Sequence, residues 1–125
     1  MLLDASVKNI VLLTGATNYL SDGNQVISVE NGHSLLGEVT GTGCAVGSIA
    51  ASFLAAYRSE KLLAVLSGIV MYEIAAENAA AKEYVRGPGS FVQAFIDELY
   101  DIRMAAATGN DSWLIGRAKI RSIVI

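Results

Sequence analysis

Gly37, Gly41 and Gly43 stand just ahead of Cys44, and small and apolar residues then run at helix-like spacing to about Tyr57. A glycine-rich turn at a helix start suits an anion. Glycine lets the backbone come close, and the first amides of a helix have no partner within it and lie at the positive end of its dipole. Gly41-Thr42-Gly43-Cys44 could therefore direct several N–H groups at a phosphate. An ordinary loop with flexible glycines reads equally well, because the segment is neither the lysine-bearing phosphate loop nor the six-residue dinucleotide fingerprint. Cys44 has two readings as well. The dipole favours a thiolate near a helix start, whereas most lone cysteines are inert, buried, small hydrophobes.

Other reactive side chains are few. One cysteine cannot form an internal disulfide, and His33 as the single histidine leaves too few soft ligands for a structural zinc site. Asp22 and Glu77 invite assignment as magnesium ligands, but a polar turn and a solvated helix face account for them, so no metal ligand is assigned. Asn31, Gly32 and His33 read as a hairpin end rather than a catalytic group.

The elements that must position the loop follow from the apolar pattern. Asn9 to Thr14 is a short continuous apolar run bounded by Gly15, as expected of a strand buried on both faces. Ala16 to Asn24 is polar, with the turn signal Asp22-Gly23, and Gln25 to Glu30 partly alternates as a half-exposed strand does. The glycine loop then opens a helix. Two more helices are predicted, Leu62 to about Tyr84 and Ser90 to about Ala107, the second with Phe91, Phe95, Ile96 and Leu99 on one face. Gly87-Pro88-Gly89 breaks the chain between them, with Ser90 as the cap. The β-branched tail from Ala118 to Ile125 reads either as a strand or as an artefact of truncation.

A length of 125 residues suits one domain, spanning 1–125. With 53% apolar and 17% charged residues, the chain holds more core-forming side chains than a domain of this size needs. Some of that surface should meet a further part of the protein, a partner subunit or a membrane. The longest charge-poor stretch, Val39 to Tyr57, is broken by Gly41, Gly43 and Gly47 and by small polar residues, which favours a soluble helix over a membrane span. Met1 to Ser6 lacks the basic region and apolar run of a secretory signal, so a cytoplasmic protein is expected. The net charge of −3 is spread along the chain without a basic stripe, which argues against a nucleic-acid partner.

Val39-Thr40-Gly41-Thr42-Gly43-Cys44 followed by an alanine-rich helix resembles the signature of hydroxyethylthiazole kinases. Two further segments agree in order. Leu12 to Gly15 ahead of Val29-Glu30-Asn31-Gly32-His33 is similar to the family's nucleotide-side strand and hairpin, and Gly87 to Phe91 to its late glycine-proline turn. The likeness covers about Asn9 to Tyr100 and points to the C-terminal part of such a kinase. Fungal members are often fused behind a thiamin phosphate synthase domain, and this chain could derive from one.

The resemblance implies an α/β, ribokinase-like three-layer fold, with a central, mainly parallel sheet and flanking helices. It implies transfer of a phosphoryl group from ATP, with Mg2+, to the primary alcohol of 4-methyl-5-(2-hydroxyethyl)thiazole in thiamin salvage. Carried over by position, Gly41, Thr42 and Gly43 would form the anion hole and Cys44 the catalytic base, where most ribokinase-like enzymes have aspartate. Thr14 would contact the nucleotide, and Gly41 would also touch the thiazole. A complete member is about twice as long and tends to form trimers, so a missing amino-terminal half or a homo-oligomer is implied. Two rival readings stand beside this one: an inactive fragment or assembly module of the same fold, and another ribokinase-like small-molecule kinase. Cysteine at position 44 counts against the latter.

Overall fold

Val11–Leu13 (β1), Asn18–Ser21 (β2) and Val26–Val29 (β3) form a meander of short strands, and Ile120–Ile123 (β4) comes back to pair with β3. The computed structural model describes residues 9–123. Connections of four residues leave consecutive strands no room for a crossover, so both meander pairs are antiparallel, with Leu12 opposite Leu20 and Tyr19 opposite Ser28. The second turn is fixed by Asp22, whose Oδ1 accepts from the amides of Asn24 at 2.9 Å and Gln25 at 3.0 Å. β4 also runs antiparallel, with Val26 opposite Ile123 and Val29 opposite Ile120.

A 3-10 turn, Ser34–Glu38, leads to three helices: α1 (Thr42–Ala56), α2 (Lys61–Ala80) and α3 (Pro88–Ala107). α2 is the centre of the core. Val65, Ile69, Val70, Tyr72, Ile74, Ala75, Ala76 and Ala79 are all buried. It meets α1 through Gly68, where a Cβ would come within 3.1 Å of the Phe53 ring. It meets α3 through Phe95, whose ring lies edge-on to Tyr72 at 4.9 Å and parallel to Phe91 at 5.5 Å. Leu20 and Val29 bring the sheet into the same cluster. By length and composition the helix through Arg58–Ala80 could cross a membrane, yet 67% of its most apolar window is buried against the rest of the chain, as befits a core helix.

The mixed α/β architecture is as expected, but the pairing is not. A mainly parallel sheet is implied by the resemblance, and the four described strands are all antiparallel because β1 to β3 are joined by tight turns. Among the described strands β1 lies outermost, and Leu13 is 64% exposed rather than buried. The stretch expected as polar turn holds β2, where Asn18 and Leu20 point inward and Tyr19 outward. α2 ends at Ala80, short of Tyr84. The break at Gly87 is real, but Gly87 is the N-cap and Pro88 opens α3. Ser90 lies inside the first turn and accepts from the Arg86 amide at 2.9 Å. Ile96 falls on the outer face of α3 with Tyr100 and Met104 rather than in the core. The tail strand is β4, and Val124 and Ile125 lie outside the described residues.

Candidate functional site

A cleft of about 530 Å³ opens where the turns of the sheet face the start of α1 and the middle of α2. It is lined by the turn after β1, with Thr14, Gly15 and Ala16, and by Gly32, His33 and Ser34 with the 3-10 turn beyond. Thr42 and Gly43 close one end, and Asn18, Asn31 and Glu73 supply polar groups from within. A volume of this size is that of a small-molecule site.

Gly41 sets the start of α1. Its φ of 96° is left-handed, which costs glycine nothing, and it turns the chain from the extended Val39 into the helix. The first helical hydrogen bond runs from the Ala45 amide to the Gly41 carbonyl at 2.9 Å, so the amides of Thr42, Gly43 and Cys44 precede the helical ladder. The Thr42 side chain is occupied: its Oγ1 donates to the carbonyls of Leu36 at 2.8 Å and Val39 at 3.3 Å, closing the loop on itself. The Thr42 carbonyl accepts from the Tyr72 hydroxyl at 2.9 Å, which pins the end of the cleft to α2. Burial pushes that phenol up to about 12, so it stays a donor.

Two glutamates one turn apart on α2 hold the other walls. Glu73 Oε1 accepts from Asn18 Nδ2 at 2.8 Å, and Asn18 Oδ1 accepts from the Gly15 amide at 3.3 Å, so the turn that carries Thr14 is tied to α2 through one buried amide. Glu77 Oε1 accepts from Asn31 Nδ2 and the Gly32 amide, both at 3.0 Å. Asn31 also donates to the Arg117 carbonyl at 2.8 Å and accepts from the Lys119 amide at 2.7 Å, joining the approach to β4. Glu73 lies 7% exposed, and desolvation, supported by the neighbouring Glu77 charge, pushes its carboxyl up to about 7 against the opposing effect of Asn18.

Of the residues expected at the site, the fold gathers Thr14, Thr42 and Gly43 into one cleft. Gly41 stands behind as the cap of α1, and Cys44 is exposed one residue past Gly43; neither forms a wall. Glu77 is not a solvated helix face but an anchor of the Asn31-Gly32 turn. Asn18 and Glu73 went unnoticed in the sequence. A carboxylate between Tyr72 and Ile74, in the apolar stretch of the helix, was the available signal for Glu73.

The family model described as the hydroxyethylthiazole kinase family matches residues 2–105. The chain belongs to the hydroxyethylthiazole kinase family. A hydroxyethylthiazole kinase of Tolumonas auensis is 47% identical over 92 residues, which cover 73% of this chain and 34% of that one. A probable thiamine biosynthetic bifunctional enzyme of Schizosaccharomyces pombe is 35% identical over 117 residues, 89% of this chain and 22% of that one. The solved hydroxyethylthiazole kinase of Pyrococcus horikoshii OT3 superimposes with a TM-score of 0.79 at 39% identity, covering 94% of this chain and 42% of that one. The fold is thus that of part of a ribokinase-like thiazole kinase. The chain spans about a third of the length of the family's kinases that it matches.

Proposed function

We propose that this chain forms the nucleotide and anion-hole side of a hydroxyethylthiazole kinase, which moves the γ-phosphoryl group of ATP to the primary alcohol of 4-methyl-5-(2-hydroxyethyl)thiazole in thiamin biosynthesis. The observation that supports the reading is the start of α1, where Gly41 turns the chain into the helix and Thr42 and Gly43, whose amides precede the helical ladder, line the same cleft as Thr14. In the step itself the alcohol oxygen bonds to the γ-phosphorus, the bond to the β-phosphate oxygen breaks, and ADP leaves. Such a transition state is loose, and fixed donors beside its oxygens stabilise the developing charge without reorganising. The Thr42 and Gly43 amides take that role, with Gly41 as the pivot that aims them and the point of contact with the thiazole. Thr14, across the cleft, contacts the nucleotide. Cys44, exposed beside Gly43, receives the proton of the alcohol.

No metal ligand is assigned to these residues, and Mg2+ enters as the companion ion of ATP. The rest of the thiazole pocket is assigned to an amino-terminal half or to a second copy in a trimer-based homo-oligomer. A cytoplasmic setting fits a kinase that draws on ATP.

The test is phosphorylation of hydroxyethylthiazole by the purified chain with magnesium and ATP, read by mass spectrometry, alone and with an amino-terminal half added. The expected result is phosphorylated thiazole once the amino-terminal half is supplied. Product from the chain alone would overturn the need for a further half. No product in either case would favour an inactive assembly module.

A further inference from the structure

Glu73 does more than hold Asn18. Its Oε1 takes the Asn18 amide, while Oε2 has no hydrogen-bond partner among the described residues. Oε2 sits against the backbone of Gly32, where any Cβ would collide with the carboxylate. The fully buried unpartnered side-chain polar atom among the described residues is Trp113 Nε1, so Oε2 keeps open surface, and the space that Glu73 borders is the cleft. A side chain this buried, bordering a ligand-sized space, is therefore left with one acceptor that no described neighbour engages.

We propose that Glu73 Oε2 reads the nucleoside end of the bound nucleotide, accepting an N–H or O–H from its base amine or ribose hydroxyl. The assignment rests on the nucleotide reading above. Phosphates belong against the α1 amides rather than against Glu73, because a carboxylate beside them would repel them. What remains for Glu73 is an uncharged donor. An unpaired acceptor in such a site discriminates sharply, since a ligand lacking the donor leaves a buried oxygen unsatisfied.

The experiment measures binding of ATP and of inorganic tripolyphosphate, each with magnesium, to the 125-residue chain and to Glu73→Gln by calorimetry. Glutamine keeps the shape and a carbonyl for Asn18 but turns an amide donor toward the ligand. Expected is about a tenfold weaker hold on ATP in Glu73→Gln with tripolyphosphate unchanged. Purine riboside triphosphate, which lacks the amine, and 2′- and 3′-deoxy-ATP identify the donor: one of them should bind the parent chain about as weakly as ATP binds the variant. Equal loss of ATP and tripolyphosphate would reduce Glu73 to a structural role. Unchanged ATP binding in the variant, or parent affinity that ignores all three analogues, would overturn the assignment and leave the nucleotide reading standing. A parent chain that binds neither ATP nor tripolyphosphate would bring down both.

Discussion

Gly32 and Glu73 fit together with no room for a methyl group between them. The φ of Gly32 is +124°, and a Cβ built there collides with the Glu73 carboxylate, whose Oε1 is already fixed by Asn18. Gly32→Ala should therefore suffer both a strained backbone and a displaced Glu73, costing about 3 kcal/mol of stability. Urea unfolding checks this, and Gly37→Ala, where nothing lies within 4 Å, is the control with little expected effect. A cost below about 1 kcal/mol for Gly32→Ala would mean that the carboxylate is loosely held.

Glu73 should also make stability fall as pH rises. Its folded-state value of about 7 lies above the ordinary 4.5, so between those values the folded chain binds more protons than the unfolded chain. Stability from this group is whole below about pH 4.5, declines at up to about 1.4 kcal/mol per pH unit, and is lost above about pH 7. Glu73→Gln removes the titration, so the variant should gain on the parent chain between pH 5 and pH 8 in matched urea titrations. A constant difference across that range would contradict the buried carboxyl.

The loop before α1 was legible because its parts are local. Spacing alone marked a glycine turn opening a helix, while the roles of Gly41, Thr42, Gly43, Cys44 and Thr14 came only with the family resemblance. What spacing could not show was partnership across the chain. Asn18 looked like loop because its burial depends on Glu73, 55 residues away, and Glu77 looked solvated because Asn31 and Gly32 reach it from 46 and 45 residues away. β1 reads as buried on both faces yet lies outermost among the described strands, because an apolar run does not reveal which strands flank it.

Gly43 and Gly41 should part company when each is replaced by alanine. Nothing lies within 4 Å of a Cβ at Gly43, which sits inside the first turn of α1, so Gly43→Ala should leave stability unchanged or raise it by up to about 1 kcal/mol. The methyl group would nonetheless crowd the end of the cleft and weaken tripolyphosphate binding about tenfold or more. Gly41→Ala places a side chain at φ 96° and should lose about 1–2 kcal/mol. Thermal melts paired with calorimetry separate the two. Full phosphate affinity in Gly43→Ala would remove Gly43 from the anion hole.

Cys44 carries the last test, because its position cuts both ways. It is exposed in the first turn of α1, one residue past Gly43, and it does not line the cleft. A base that receives the proton of an alcohol arriving from outside the nucleotide cleft would stand in such a place, and so would an idle thiol. In the active assembly of this chain with an amino-terminal half, Cys44→Ala should lower kcat on the order of a hundredfold if the thiol takes the proton. Cys44→Asp should preserve or raise kcat, since a carboxylate is ionised across the neutral range and needs no help to accept a proton. The binding of ATP should be the same in all three, because the base acts on the alcohol. Equal loss of kcat in both variants would end the base role and leave catalysis to positioning and the amides of α1.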